Sequence, residues 1–352
     1  MGEFARLSVI VPVHNGADCL KRCLEALGRS TYRDYECIVV DDGSTDGTRG
    51  VAARHGVPVV ALEHRGGPAR ARNRGAEHTR GAFLVFLDAD VCVHTDTLSR
   101  IAAHFQEHPA TDALIGSYDD APADPGFISQ YKNLFHHYVH QRSSTDAWTF
   151  WAGCGAIRRQ VFLDAGGFDE SYKRPAVEDI ELGFRLRAGG RRIDLNPAIQ
   201  VQHLKRWTFW GLVRTDLLDR GVPWFVLMLQ HRHMPRDLNV RTAHRLSVVL
   251  VFAMMLLLVA IAVGAVLSFP GIGFGAVGLL GLASLLFILN YDLYRFFARK
   301  RSFGFALATL PLHWLYYAYC GLAVGLGMGS YLWRQVIGAR QRPGLPCPGT
   351  TR

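Results

Sequence analysis

Acidic residues nearly vanish from the second part of this 352-residue sequence. Positions 201–352 hold 4 Asp/Glu against 16 Lys/Arg, and positions 1–200 hold 26 against 23; the differences, +12 and −3, make up the net charge of +9. The first stretch therefore reads as an ordinary near-neutral globular domain, long enough for a sizeable core. The basic excess lies beside the most apolar part of the chain, which suits an anionic membrane surface rather than nucleic acid. Charge of either sign is absent from all 45 positions of 246–290. Two bilayer crossings of about 20 residues fit there, roughly 246–268 and 272–290, with Phe269-Pro270-Gly271 as the turn. A third apolar run covers 303–333. Buried core helices are the alternative for such runs, and length and repetition weigh against it.

Cysteine is sparse and lacks pattern. There are 7, an odd number, with no CxxC pair and no zinc-like spacing, so a disulfide scaffold is excluded and free thiols in a reducing cytosol are expected. A secretory leader is not expected either: the apolar run after Arg6 reads as a strand and falls short of a signal core of about 7–15 residues. No GxGxxG follows that strand, which ranks a nicotinamide-dependent enzyme low. With 49% hydrophobic and 20% charged residues, disordered and collagen-like classes are excluded.

What is present begins with orientation signals. Arg232, Arg236, Arg241 and Arg245 precede the first apolar run, and Arg295, Arg299, Lys300 and Arg301 lie between the second and third. Both groups are predicted cytoplasmic, which puts the N-terminal domain in the cytosol and the protein in the cell membrane as a multi-pass chain. Arg334, Arg340 and Arg342 break the pattern, so either the tail lies outside or the third run re-enters. Residues 207–229 form an interfacial candidate, with Phe209, Trp210, Val213 and Leu217 on one helical face, Arg214, Asp216 and Arg220 elsewhere, and Pro223 interrupting. Such a helix lies in the headgroup plane; the alternative is a helix packed on the soluble domain. The predicted organisation is a domain over 1–204, an interfacial segment over 205–245, membrane helices over 246–335 and a tail over 336–352.

In the N-terminal part apolar runs alternate with helical patterns. Residues 7–13, 36–40, 57–62 and 83–87 read as strands, and 17–28, 46–55, 68–79 and 95–107 as helices. Strands apolar along their whole length, alternating with helices, imply an α/β fold with a parallel sheet covered on both faces. Ligands bind beyond the carboxyl ends of such strands, and both Asp41-Asp42 and Asp88-Ala89-Asp90 stand at such ends. Two carboxylates at i and i+2 can face one cavity and suit a hard divalent cation completed by substrate phosphate oxygens; taken alone, the triplet could equally be a solvated turn. The 41–48 loop has turn and capping residues and could also offer an aspartate to a nucleoside. The 66–75 segment brings glycines and arginines to a helix start, as a phosphate or base contact or as a solvated basic face.

Val11-Pro12-Val13-His14-Asn15-Gly16, Val40-Asp41-Asp42-Gly43-Ser44-Thr45-Asp46-Gly47-Thr48, Ala71-Arg72-Asn73-Arg74-Gly75 and Leu87-Asp88-Ala89-Asp90 together resemble glycosyltransferase family 2, with its nucleotide-sugar-binding GT-A (Rossmann-like) fold, over roughly the first 200 residues. The resemblance implies a nucleoside diphosphate sugar donor and Mg²⁺ or Mn²⁺ at Asp90 with Asp88 nearby. It also implies donor contacts from Pro12, His14, Asp41, Asp42, Arg72 and Asp88. Residues 150–159, with Gly153 and Cys154, read as a strand leading to a helix and as part of the acceptor region. Glu178-Asp179 opens a further helix. The family's catalytic base lies in such an acidic pair, and Asp179 is the matching position; Glu178 and Glu181 would raise its pKa and the helix N-terminus would lower it. The alternative is that the pair only complements the helix dipole. Membrane-bound members often carry Gln-x-x-Arg-Trp, and here His203-Leu204-Lys205-Arg206-Trp207 stands with His203 in place of the glutamine. Arg206 would meet diphosphate charge, and Trp207 and His203 would serve the acceptor side.

Other histidines read as bland. His136 and His140 share a helix over 128–141 without an evident third ligand, His231 and His233 sit among arginines at the interface, and His313 offers a polar contact within the bundle. The overall expectation is an inverting, metal-dependent glycosyltransferase with a lipid or lipid-linked acceptor. A polysaccharide synthase and a catalytically silent nucleotide-sugar-binding membrane protein are the alternatives.

Overall fold

The computed structural model describes residues 6–235, 241–268 and 272–340; Arg236, the Phe269-Pro270-Gly271 turn, Arg342 and the rest of the tail lie outside them. The first part shows the expected alternation: β1 (Leu7–Val13), α1 (Ala17–Gly28), β2 (Tyr35–Asp41), α2 (Thr48–Arg54), β3 (Val59–Ala61), α3 (Pro68–Glu77) and β4 (Phe83–Leu87). Then come β5 (Val91–Val93), α4 (Thr97–Glu107), β6 (Ala113–Tyr118), α5 (Phe127–Arg142), β7 (Cys154–Arg158), α6 (Arg159–Asp164), α7 (Glu178–Ala188) and β8 (Ile193–His203).

One eight-stranded sheet has the order β3-β2-β1-β4-β7-β6-β8-β5. The expectation of a parallel sheet needs correction. β1 to β4 run parallel, but β7 is antiparallel to both β4 and β6, and β5 is antiparallel to β8. Direction was not readable because β6 and β7 are buried almost throughout, so they show the same unbroken apolar run as a parallel strand. Both faces are covered, as expected. In β1, Val9 and Val11 face the core shared with α1 and α4, while Ile10 faces the one under α3. The α3 helix lies close on that face because of Gly75, where a Cβ would stand 2.3 Å from Ile10 Cγ2.

The segment after β8 is helical but not one helix. It comprises α8 (Phe209–Arg214), a π-helical turn (Thr215–Gly221) and α9 (Val222–Gln230). The extra residue per turn of π geometry rotates the next helix relative to α8, so the expected apolar face divides: Val213 and Leu217 pack inward, while Trp210 is 77% exposed. Four more helices complete the described chain: α10 (Thr242–Val266), α11 (Ile272–Leu289), α12 (Tyr291–Lys300) and α13 (Phe303–Arg340). Among the described residues, α10 alone is long and apolar enough to cross a membrane; α11 and α12 meet that measure only together, across a 61° bend. The third apolar run lies within the 38-residue α13, which does not meet it. Its first half packs on the α/β domain instead, where Tyr131 and Phe135 of α5 share a core with Leu312, Tyr316 and Phe297. His313 joins this core and shares hydrogen bonds with Tyr131 Oη (2.8 Å) and Tyr317 Oη (3.0 Å). His231 and His233, expected at the membrane interface, stack instead on Phe184 and Trp148 of the α/β domain.

Candidate active site

The carboxyl ends of β1, β2 and β4 open onto a cleft of about 400 Å³ bordered by Pro12, His14, Asp42, Arg72, Asp88 and Asp90. Asp42 is not a free carboxylate there. It accepts hydrogen bonds from the Gly66 and Gly67 amides at 2.6 and 2.9 Å and so fixes the glycine loop on the cleft rim. Gly67 needs to be glycine: its φ is +91°, and a Cβ would stand 2.6 Å from the Lys173 carbonyl oxygen. His14 donates from Nδ1 to the Asp42 carbonyl at 2.9 Å. Asp41, expected at the donor, is fully buried outside the cleft, where it pairs with Arg49 and accepts from the Ser44 amide. It braces the 41–48 loop. Burial would raise its pKa, but Ser44 and Arg49 hold it below the ordinary value.

Arg72 is 4% exposed and acts as a strut. It donates to Asp88 Oδ1 and to Glu178 Oε1, both at 2.8 Å, and so ties the end of β4 to the start of α7. Burial works against its charge, yet Asp88, Glu178 and Asp179 together raise its pKa. Asp90 faces His203 Nε2 at 3.6 Å. His203 Nδ1 bonds Asn133 Oδ1 at 2.7 Å, which holds the ring beside Asp90. Burial would raise the Asp90 pKa, and His203 and Lys205 lower it. Among the described residues no three His, Cys, Asp or Glu side chains converge as a complete metal cage. An imidazole nitrogen beside a carboxylate, with Asp88 two residues away, nevertheless fits a hard cation that takes its remaining ligands from phosphate and water.

Asp179 stands at the start of α7, where Oδ2 accepts from the Ala152 amide (3.1 Å) and Oδ1 from its own helix at Ile180 N (2.8 Å). Burial first, and then Glu178, push its pKa up to about 6, against the pull of Arg72, Ala152 and Arg220. Glu181 has no part in this, since it points away to Arg185 at 2.6 Å. Asp179 lines a second cavity, of about 240 Å³, walled by α5, α9, α10, α13 and the π turn. His136 and His140 also line it, and burial lowers both pKa values, that of His140 to about 4.

The remaining expected residues divide. Trp207 borders the donor cleft and is buried, with Lys205 Nζ 4.2 Å from its ring centre. Arg206 is exposed and borders neither cavity; the cleft is bordered by Arg65, Arg72, Lys205 and Arg220 instead. Gly153 and Cys154 are buried in the sheet and reach neither cavity, and burial pushes the Cys154 thiol up to about 12. Trp151 lines the Asp179 cavity instead. His203, expected on the acceptor side, belongs to the Asp90 pair. Sequence reasoning missed Tyr118, which stacks on His203 (4.3 Å) and His136 (5.8 Å) and borders both cavities; only its place at the end of an apolar run could have flagged it.

A mixed sheet with an acid-lined cleft beyond its carboxyl ends, and a half-buried carboxylate across from it, has the architecture of the nucleotide-binding α/β class. A narrower class emerges from likeness to known proteins. Residues 8–166 match the profile of glycosyl transferase family 2. Validoxylamine A glucosyltransferase of Streptomyces hygroscopicus subsp. jinggangensis is 32% identical over 218 residues, 52% of this chain and 52% of that protein. Glycosyltransferase GlyG of Streptococcus pneumoniae is 33% identical over 117 residues, 32% of this chain and 38% of that protein. The mannosyltransferase PcManGT of Pyrobaculum calidifontis, solved with GDP-Man and Mn²⁺, superposes with a TM-score of 0.52 at 20% identity, covering 94% of this chain and 88% of that one. The chain spans about half the length, or less, of the curated relatives named here. Residues 8–166 are thus similar to glycosyl transferase family 2 domains, and the α/β part shares the fold of the Pyrobaculum enzyme.

Proposed function

We propose that the protein moves a sugar from a nucleoside diphosphate sugar to a lipid or lipid-linked acceptor at the cytoplasmic face of a membrane, with inversion at the anomeric carbon. The observation that carries this reading is a shared wall. Tyr118, His136 and Arg220 border both the acidic cleft and the cavity holding Asp179, so donor and acceptor sites meet where a single displacement requires. The acceptor hydroxyl oxygen attacks the anomeric carbon from the Asp179 side and forms the new C–O bond. Asp179 takes the hydroxyl proton, and a base with a pKa near 6 is ionised at neutral pH and ready for that proton. The bond to the phosphate oxygen breaks on the Asp90 side, and the nucleoside diphosphate leaves with the electron pair. Lys205 adds positive charge there.

Asp90 and His203, with Asp88 behind them, would hold Mg²⁺ or Mn²⁺, and that ion would offset diphosphate charge. The Mn²⁺ and GDP-Man bound to the Pyrobaculum mannosyltransferase support the donor class and the cation. The apolar exterior of α10, with Leu256 and Val259 exposed, supports membrane insertion, flanked by Arg241 and Arg245 on the cytoplasmic side. The deciding experiment incubates the purified full chain with Mg²⁺ or Mn²⁺, a panel of nucleotide sugars and a membrane lipid extract. Mass spectrometry then looks for a lipid that has gained a sugar-sized increment. Asp179→Asn should abolish that product while donor binding survives; undiminished turnover in this variant rejects the base assignment.

A further inference from the structure

A lone guanidinium stands where the two cavities join. Arg220 closes the π turn, is half-buried, and makes no hydrogen bond and no ion pair with any described residue. On an α-helix Asp216 and Arg220, four apart, would face each other and pair. The π turn removes that register. Asp216 binds Lys132 Nζ with both oxygens at 2.7 Å and accepts from Tyr319 Oη at 2.9 Å. The other acids nearby are equally committed: Glu178 to Arg72 and the Ala176 amide, Asp179 to two backbone amides. A half-buried, unpaired guanidinium is costly to keep, and its planar fork matches phosphate oxygens.

The charges acting most strongly on Arg220 are those of Asp179 and Asp216, whereas Lys205 is the cation acted on by Asp90. Arg220 borders both cavities, and Asp179 and Asp216 line only the second, so Arg220 faces the acceptor side of the junction as well as the cleft. Beyond it the cavity turns apolar, walled by Trp224, Phe225, Met228, Val248 and Val324. The π turn presses against α13 at Gly221, where a Cβ would stand 2.8 Å from Ala323 Cβ. The cavity thus runs from the cation directly into the helices that carry the apolar exterior.

We infer that Arg220 recognises a phosphate group on the head of an amphiphilic acceptor, whose hydroxyl reaches Asp179 and whose chain lies between α9, α10 and α13. This rests on the proposed transfer reaction and adds that the acceptor is an anionic, phosphate-bearing lipid. The test uses the full chain in phosphatidylcholine nanodiscs and monitors tryptophan fluorescence, Trp224 being in the cavity wall. Decyl phosphate, decyl maltoside and inorganic phosphate are titrated separately, and UDP or GDP with Mn²⁺ in parallel. Wild type should bind decyl phosphate more tightly than either other probe. Arg220→Gln should lose about tenfold or more of that affinity, as expected for losing one side of a charge pair, with nucleotide binding unchanged. Arg220→Lys, which keeps the charge without the fork, should lose less and shows whether the glutamine variant has merely failed to fold. Unchanged decyl phosphate affinity in both variants overturns the assignment. So does an equal loss of nucleotide affinity, which would move Arg220 to the donor, or a wild type that binds inorganic phosphate as tightly as decyl phosphate. Failure of the transfer reaction itself looks different: wild type then binds decyl phosphate through Arg220 but yields no sugar-bearing lipid in the incubation with nucleotide sugars.

Discussion

The pKa of Asp179 is the most exacting quantity in the site. Burial and Glu178 raise it from 3.8 to about 6, a difference worth roughly 3 kcal/mol between the protonated and ionised forms. Its effects on turnover and on stability have definite and opposite signs. Turnover needs the ionised form, so kcat/KM should fall with a midpoint near pH 6 on the acid side, about tenfold per pH unit below it. Stability moves the opposite way. The folded state holds a proton that the unfolded chain releases between pH 4 and 6, so rising pH through that window destabilises the protein. Asp179→Asn removes this dependence. Compared by thermal unfolding of the full chain in one detergent, the variant should gain on wild type by up to roughly 3 kcal/mol between pH 4 and 7. The absolute stability of the variant at neutral pH is a weaker test, because its amide nitrogen would face one of the two backbone N–H groups that now bind the carboxylate. The reasoning fails if the acid limb of wild-type kcat/KM has its midpoint near 4, or if the stability difference is flat with pH.

Arg72→Gln leaves Glu178, 4% exposed, without its cation, and should cost about 3–5 kcal/mol, read as a lowered melting temperature together with weakened nucleotide binding. Excess EDTA, or Asp90→Asn, should stop transfer, and Mn²⁺ titration monitored by electron paramagnetic resonance should show weaker binding in the variant; full activity in EDTA excludes the cation role of Asp90. Arg206→Gln should leave kcat/KM nearly unchanged, whereas Lys205→Gln should lower it by about tenfold, the worth of one charge contact to a diphosphate; the reverse ranking would return the phosphate role to Arg206. Gly67→Ala should destabilise by more than about 1 kcal/mol, since the φ is positive and the space is filled by Lys173, with the loss visible in the melting temperature and in nucleotide affinity.

Much of the donor half was legible because its chemistry is local. The runs at 7–13 and 83–87 fold as the strands they resemble, and the acids that end β2 and β4 lie at the sheet's carboxyl edge as the pattern implies. What could not be read depends on partners far along the chain. Arg72 looks like a base contact until Glu178, 106 positions later, is placed against it. His203 stands in the sequence where an acceptor residue was expected, and only the antiparallel pairing of β8 with β5, which sets it opposite Val91, brings it to Asp90. The misplacement of Arg206 has the same origin, because neighbours on an extended segment point opposite ways, so the cleft takes Lys205 and solvent takes Arg206. The π turn was hidden for another reason. A periodicity search assumes 3.6 residues per turn, and the residue added at 215–221 shows no compositional mark.

That same turn links the two halves of the molecule. Had the segment continued as an α-helix, Asp216 and Arg220 would have paired, Lys132 of α5 would have been left buried without an acid, and the wall between the cavities would have carried no free cation. The π geometry instead commits Asp216 to anchoring α5 and α13, through Lys132 and Tyr319, and leaves Arg220 at the junction. The second cavity is therefore built jointly by the α/β domain and the helices: Asp179 and Trp151 come from one, Val248 and Val324 from the other. A chain cut after β8 would keep Asp42, Asp88 and Asp90 of the acidic cleft but would lose Lys205, Trp207, Arg220 and the walls that α9, α10 and α13 give the second cavity. On the proposed function, the helices complete the acceptor site as well as tethering it.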